Sequence, residues 1–161
     1  MEKVEINKQA RLSEHFTLAE MCKTSAKTAD GNIPSHVHIE NLKRLCGWLE
    51  MLRSEWNKRY GEGDDPIVIN SGYRSEAVNK AVGGVKGSNH LTGCAADIRV
   101  AGIEQLVRYA TILLDISDES QEDFDELLLE RSPRGGYWLH FAVRPPSQEN
   151  RRKVSLIQSL R

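Results

Sequence analysis

An α+β fold, with a small and mainly antiparallel central sheet and helices packed on it, is predicted by three features of the sequence. Apolar residues Ile39, Leu42, Cys46, Leu49, Leu52 and Trp56 recur at spacings of three and four, drawing one stripe down a long helix that starts near Ser35. Phe124 to Glu130 and Tyr137 to Val143 read as two strands joined by Arg131-Ser132-Pro133-Arg134-Gly135-Gly136, whose Pro and Gly residues punctuate a hairpin. Two more short strands are expected, at Ile67-Val68-Ile69, which is β-branched, and at Ala95 to Val100.

Taken in order, residues 1–15 form a polar N-terminal arm and residues 16–161 a single domain. Thr17 and Glu20 have the spacing of a capping box, so a short helix starts at Leu18. Asp30-Gly31-Asn32-Ile33-Pro34 closes that region with turn residues, and the long helix follows. His36 and His38 stand at its start, two positions apart, where they do not face each other; both are read as surface residues. Gly61 to Pro66 is a loop, Ser75 to Ala81 a helical turn, and Gly83-Gly84 with Gly87 a pliable loop. Ile103 to Leu114 carries a second amphipathic stripe, Asp115 to Asp123 is an acidic connector, and a short helix is expected after Pro145-Pro146. His15 reads as an ordinary exposed residue.

With 161 residues the chain is large enough to bury one core without disulfides. Its 22 basic and 23 acidic residues leave a net charge of -1, so no global field draws it to nucleic acid or to an anionic membrane. Cys22, Cys46 and Cys94 cannot all pair within the chain and lack a CxxC spacing, which fits a reducing compartment. The N-terminus lacks the apolar run of a signal peptide and no stretch is long enough to span a bilayer, so the expectation is a cytoplasmic product, a monomer, that reaches any outside substrate by a separate export or lysis route.

The chemistry lies in Ser88-Asn89-His90-Leu91-Thr92-Gly93-Cys94-Ala95-Ala96-Asp97 and, far downstream, in Tyr137-Trp138-Leu139-His140-Phe141. His90, Asp97 and His140 offer the two nitrogens and one carboxylate oxygen that a catalytic zinc site uses, with the fourth position left open. Gly93 allows a tight backbone approach, while the small Ala95 and Ala96 let the following strand pack closely. Alone, a His and an Asp at this spacing recur by chance. Cys94 is soft enough to bind zinc, but between the two ligands it reads better as a small buried thiol.

Ser88, His90, Gly93, Ala95 and Asp97 together resemble the SxHxxGxAxD pattern of the zinc D-alanyl-D-alanine carboxypeptidase and dipeptidase family. Phe16 to Glu20, Ser71-Gly72-Tyr73-Arg74, Asn79, Val82-Gly83-Gly84 and Trp138-Leu139-His140 resemble, in order, further blocks of its phage-endolysin and peptidoglycan-hydrolase branch. The resemblance spans Phe16 to about Arg152. It implies a hedgehog/DD-peptidase-like fold, Zn2+ held by His90, Asp97 and His140, and hydrolysis of stem-peptide or D-Ala-D-Ala type bonds in peptidoglycan. It further implies substrate contacts from Arg74, Ser88 and Tyr73, with Arg74 also assisting at the reacting carbonyl.

Many members of that family place a glutamate three residues before the last histidine, where this chain has Tyr137. Another branch is similar to Phe124-Asp125-Glu126-Leu127-Leu128-Leu129-Glu130, which makes Glu130 the general base. If the hairpin centres near Arg134 and pairs Glu130 with Trp138 or His140, Glu130 and His140 share a face. Glu126 shares that face about 13 Å further along and is the reserve base. The other ring nitrogen of His140 needs an acceptor that the sequence does not identify. Rival readings are a catalytically silent zinc- or peptidoglycan-binding module, separated by whether a carboxylate faces the metal, and a structural component of a phage apparatus.

Overall fold

Thr17 begins the first helix as the capping-box spacing requires: its hydroxyl accepts the Glu20 N–H at 3.2 Å, and the Glu20 carboxylate accepts the Thr17 N–H at 3.0 Å. The computed structural model describes residues 7–160, so the first six residues of the expected arm and Arg161 lie outside the described residues. The rest of the arm is pinned, because the Leu18 and Ala19 amides donate to Ala10 and Lys8 carbonyls at 2.9 and 2.7 Å.

Among the described residues the order is α1 (Leu18–Met21), α2 (His36–Arg59), β1 (Ile69–Ser71), α3 (Glu76–Ala81), a 3₁₀ turn (Asn89–Thr92), β2 (Ala95–Arg99), α4 (Ile103–Ser120), β3 (Glu126–Arg131), β4 (Tyr137–Ala142) and β5 (Lys153–Gln158). The α+β class expected from the sequence is the one observed. The strands form one sheet in the order β1-β2-β4-β3-β5, antiparallel except for the β3–β5 pair. No helix among the described residues is long and apolar enough to cross a membrane.

Registers fix which side chains share a face. Asp97 on β2 pairs with His140 on β4, His140 with Leu128 on β3, and Leu128 with Ser155 on β5. The next row is Arg99, Trp138, Glu130 and Ile157, and on the other side lie Ala95, Ala142, Glu126 and Lys153. These rows belong to the open face. The opposite face turns Ala96, Ile98, Leu127, Leu139 and Phe141 into the core, where α4 packs on β3 and β4 and α2 packs on α4 and β2. The α2 stripe predicted from spacing is the buried one, since Leu42, Cys46, Leu49 and Leu52 are fully buried.

Three expectations need correction. Helix α4 runs past Leu114 to Ser120, because buried Ile116 and Ser117 continue its apolar face one more turn, leaving Asp118 and Glu119 in solvent. The last segment is a strand, not a helix: without it the outer backbone edge of β3 would be unpaired, and the Lys153 and Ser159 amides bond to the Asp125 and Arg131 carbonyls at 2.9 and 2.8 Å across that edge. The first strand starts at Ile69 rather than Ile67, although the Val68 carbonyl still accepts from the Arg99 amide at 2.9 Å. His38 is half-buried, its Nδ1 accepting the Ser35 amide proton at the start of α2. His15 binds Glu50 through its ring at 2.7 Å.

Candidate metal centre and active-site cleft

His90 is set by a tightly capped 3₁₀ turn. The Ser88 hydroxyl accepts the His90 amide proton at 3.2 Å, and Gly93 ends the turn with φ of 74°. A Cβ on Gly93 would stand 2.6 Å from the His38 carbonyl oxygen, so glycine lets the turn press against α2. The ring of His90, 2 % exposed, points Nδ1 at the Gly72 carbonyl at 2.6 Å. A carbonyl can only accept, so Nδ1 carries a proton, which makes Nε2 the nitrogen a metal would take. That Nε2 lies 3.4 Å from Asp97 Oδ1, which is also 3.0 Å from His140 Nδ1.

One donor atom from each of His90, Asp97 and His140 thus converges, all within 4.8 Å of one another. Two imidazole nitrogens and one carboxylate oxygen on rigid, largely buried supports suit zinc. The electrostatics fit a cation there: burial would raise the Asp97 pKa, but His90 and His140 hold it well below the carboxylate range. Burial would lower that of His140, yet Asp97 and Glu126 together lift it to about 9.

The three donors lie in a cleft of about 600 Å³, lined also by Arg74, Ser88, Asn89, Glu126, Glu130 and Trp138. Arg74 donates from Nε to the Ser71 hydroxyl at 2.9 Å and from Nη2 to Asp97 Oδ2 at 3.0 Å. Ser88 is half-buried at the rim, and its hydroxyl caps the turn. Tyr73 departs from the expected substrate contact. Only 5 % exposed, it stacks on His38 with ring centroids 5.0 Å apart: the chain leaves the strand after Ser71, so strand alternation no longer holds, and Tyr73 joins the core while Arg74 lines the cleft.

Glu130 pairs with Trp138, the first of the two registers that keep it on the face of His140, and its Oε2 accepts the Trp138 indole N–H at 2.9 Å. Glu126 reaches closer to the histidine: its Oε1 lies 3.2 Å from His140 Nε2. Sheet diagonals explain this, since both glutamates flank Leu128, the residue opposite His140, and a long side chain spans a diagonal.

Asn89 and Asp125, to which the sequence assigns no role, hold the site from beneath. The Asn89 side-chain amide donates to Asp125 Oδ2 at 2.7 Å and to Glu126 Oε1 at 2.6 Å. Asp125 is 0 % exposed, and Arg151 grips both its oxygens at 3.0 and 2.8 Å. The only available signal was a carboxylate next to a strand of leucines, which fixes no partner.

Residues 14–116 match the Peptidase M15 family. The chain belongs to this family. The M15 match includes Arg74, His90 and Asp97 but ends before Glu126, Glu130 and His140, whose placement rests on the β2–β4–β3 ladder alone. A zinc D-Ala-D-Ala carboxypeptidase of Streptomyces albus G is 31% identical over 84 residues, or 52% of this chain. Those residues are 31% of the relative, so this M15 chain matches under a third of that protein's length.

Proposed function

We propose that the protein is a zinc-dependent peptidase that hydrolyses a peptide bond in the stem peptide of peptidoglycan. The observation that carries this reading is the convergence of His90, Asp97 and His140 in a cleft that Arg74 and Glu130 also line. His90 Nε2, Asp97 Oδ1 and His140 Nδ1 would hold the ion. Bound there, zinc supplies Lewis acidity to the scissile carbonyl and brings the pKa of a water down to about 7.

The remaining steps belong to side chains of the chain. Glu130 takes a proton from the attacking water and returns it to the leaving amine. The indole N–H of Trp138 holds its carboxylate at 2.9 Å. Arg74 binds the substrate carbonyl or a neighbouring carboxylate as charge develops, its guanidinium steadied by Ser71. Ser88 lies at the rim, where it can hold the peptide.

Charge supports an acidic peptide as substrate. Five cations, Arg74, Lys86, Arg144, Arg151 and Lys153, stand at the cleft with four acids, Asp97, Glu126, Glu130 and the buried Asp125 that Arg144 and Arg151 share. A carboxylate-bearing stem peptide matches that excess. We extend the reading to cell-wall degradation of the endolysin kind, in which the protein meets peptidoglycan after export or lysis.

Mass spectrometry of purified muropeptides tests the proposal. Wild-type protein should cleave them, chelation should stop cleavage, added zinc should restore it, and Glu130→Gln should be inactive. Cleavage that survives both chelation and Glu130→Gln would overturn the mechanism; stoichiometric zinc binding with no cleavage would make the protein a binding module.

A further inference from the structure

We propose that Glu126 is a positioning residue: its carboxylate selects the tautomer and ring orientation of His140, so that Nδ1 rather than Nε2 is presented to the metal. The inference rests on the reading of His90, Asp97 and His140 as the zinc ligands. Each nitrogen of His140 faces a different carboxylate, with Nδ1 3.0 Å from Asp97 Oδ1 and Nε2 3.2 Å from Glu126 Oε1. The two nitrogens lie on different edges of the ring, so only one can join His90 Nε2 at a shared ion. With an ion shared by Asp97 and His140, the carboxylate on Nε2 would keep the proton there and leave the lone pair on Nδ1 for the metal.

Glu126 can do this only because it is itself held. The Asn89 amide donates to Glu126 Oε1 at 2.6 Å and, with its second N–H, to the buried Asp125 at 2.7 Å. Arg151 grips Asp125, and its Nη2 lies 3.8 Å from Glu126 Oε2. Asn89 directly precedes His90. The turn that carries the first histidine therefore also fixes the carboxylate that aims the second, which couples two ligands fifty residues apart in sequence. Glu126 is outside the cluster of converging donor atoms, so it is not a fourth ligand. Its Oε1 already serves Asn89 and His140, which argues against a role as the base.

The test measures zinc affinity by competition with a chromophoric chelator, and the visible spectrum of the cobalt-substituted protein, for wild type, Glu126→Ala, Glu126→Gln and His140→Ala. Glu126→Ala should bind zinc about 10- to 100-fold more weakly and shift the cobalt bands, as expected when a metal-bound histidine loses its acceptor. Glu126→Gln, whose amide oxygen can still accept from both His140 and Asn89, should return to within about fivefold of wild type. If Glu126→Ala keeps wild-type affinity and spectrum, or if Glu126→Gln loses as much as Glu126→Ala, the positioning role is wrong. Lost hydrolysis with unchanged affinity would likewise overturn it, making Glu126 the base. His140→Ala separates the two levels: wild-type zinc binding by that variant would defeat the ligand assignment itself.

Discussion

Arg74 donates to Asp97 Oδ2 at 3.0 Å, while the other oxygen of the same carboxylate faces both histidines. One acid thus serves two sides, with the guanidinium on one and the metal position on the other. Replacing Arg74 by Ala should remove a charge-assisted donor from the reacting centre and lower kcat/KM about 100-fold, equivalent to roughly 2.7 kcal/mol. Zinc affinity should change far less, because three ligands remain. Steady-state kinetics with metal analysis checks this; a variant of near wild-type activity would remove Arg74 from the mechanism.

Glu130→Gln keeps an acceptor for the Trp138 indole N–H, so its fold and zinc affinity should match wild type. Hydrolysis should fall by about 10² to 10⁴ for loss of a general base. Activity within tenfold of wild type would pass the role to another carboxylate in the cleft.

Much of this arrangement was legible in the sequence, for reasons that differ by residue. The α2 stripe and the Thr17–Glu20 box are local patterns, so spacing alone located them. The hairpin turn narrowed the β3–β4 register to two pairings of Glu130, with Trp138 or with His140, and the sheet takes the first. What spacing could not supply was direction within a shared face: Glu126 and Glu130 have the same parity, and only the built sheet turns Glu126 to His140 and Glu130 to the indole. β5 was missed because Lys153 to Gln158 has only weak alternation. Its strand state is imposed by pairing with the outer edge of β3, which lies over twenty residues away in sequence. The burial of Tyr73 against His38 was not legible either, because a motif names residues and says nothing of which way each one points.

Asp125 should govern the acid limb of stability. Burial would raise its pKa, but hydrogen bonds from Arg151 and Asn89 and the charge of Arg144 hold it below the usual carboxylate value. A folded-state value below the unfolded one, about 3.9, gives stability that is present above about pH 4 and lost as pH falls through the folded value. Asp125→Asn should cost about 3 kcal/mol at pH 7, by leaving two guanidinium groups without their shared acid. The gap from wild type should narrow towards pH 3. Urea titrations at both pH values measure it, and a gap independent of pH would refute the assignment.

Gly93→Ala should be destabilising beyond its size. The residue has φ of +74°, and the new Cβ would sit 2.6 Å from a helix carbonyl. A loss of about 2 kcal/mol or more is expected, read as a drop in Tm of the metal-free protein. Because the same turn carries His90, weaker zinc binding should accompany it; an unchanged Tm would show that the turn can move away from α2.

The pairing of β2 with β4 joins Asp97 to His140 across 43 residues of chain. Such a ladder closes late when a protein folds, since the entropy of a long loop must be overcome before its contacts stabilise the product. The ion-binding position therefore does not exist in early, locally helical states and comes into being with the central sheet. Metal uptake in a rapid-mixing refolding experiment should act as a clock for that event, rising with sheet formation and lagging behind the helical signal of α2.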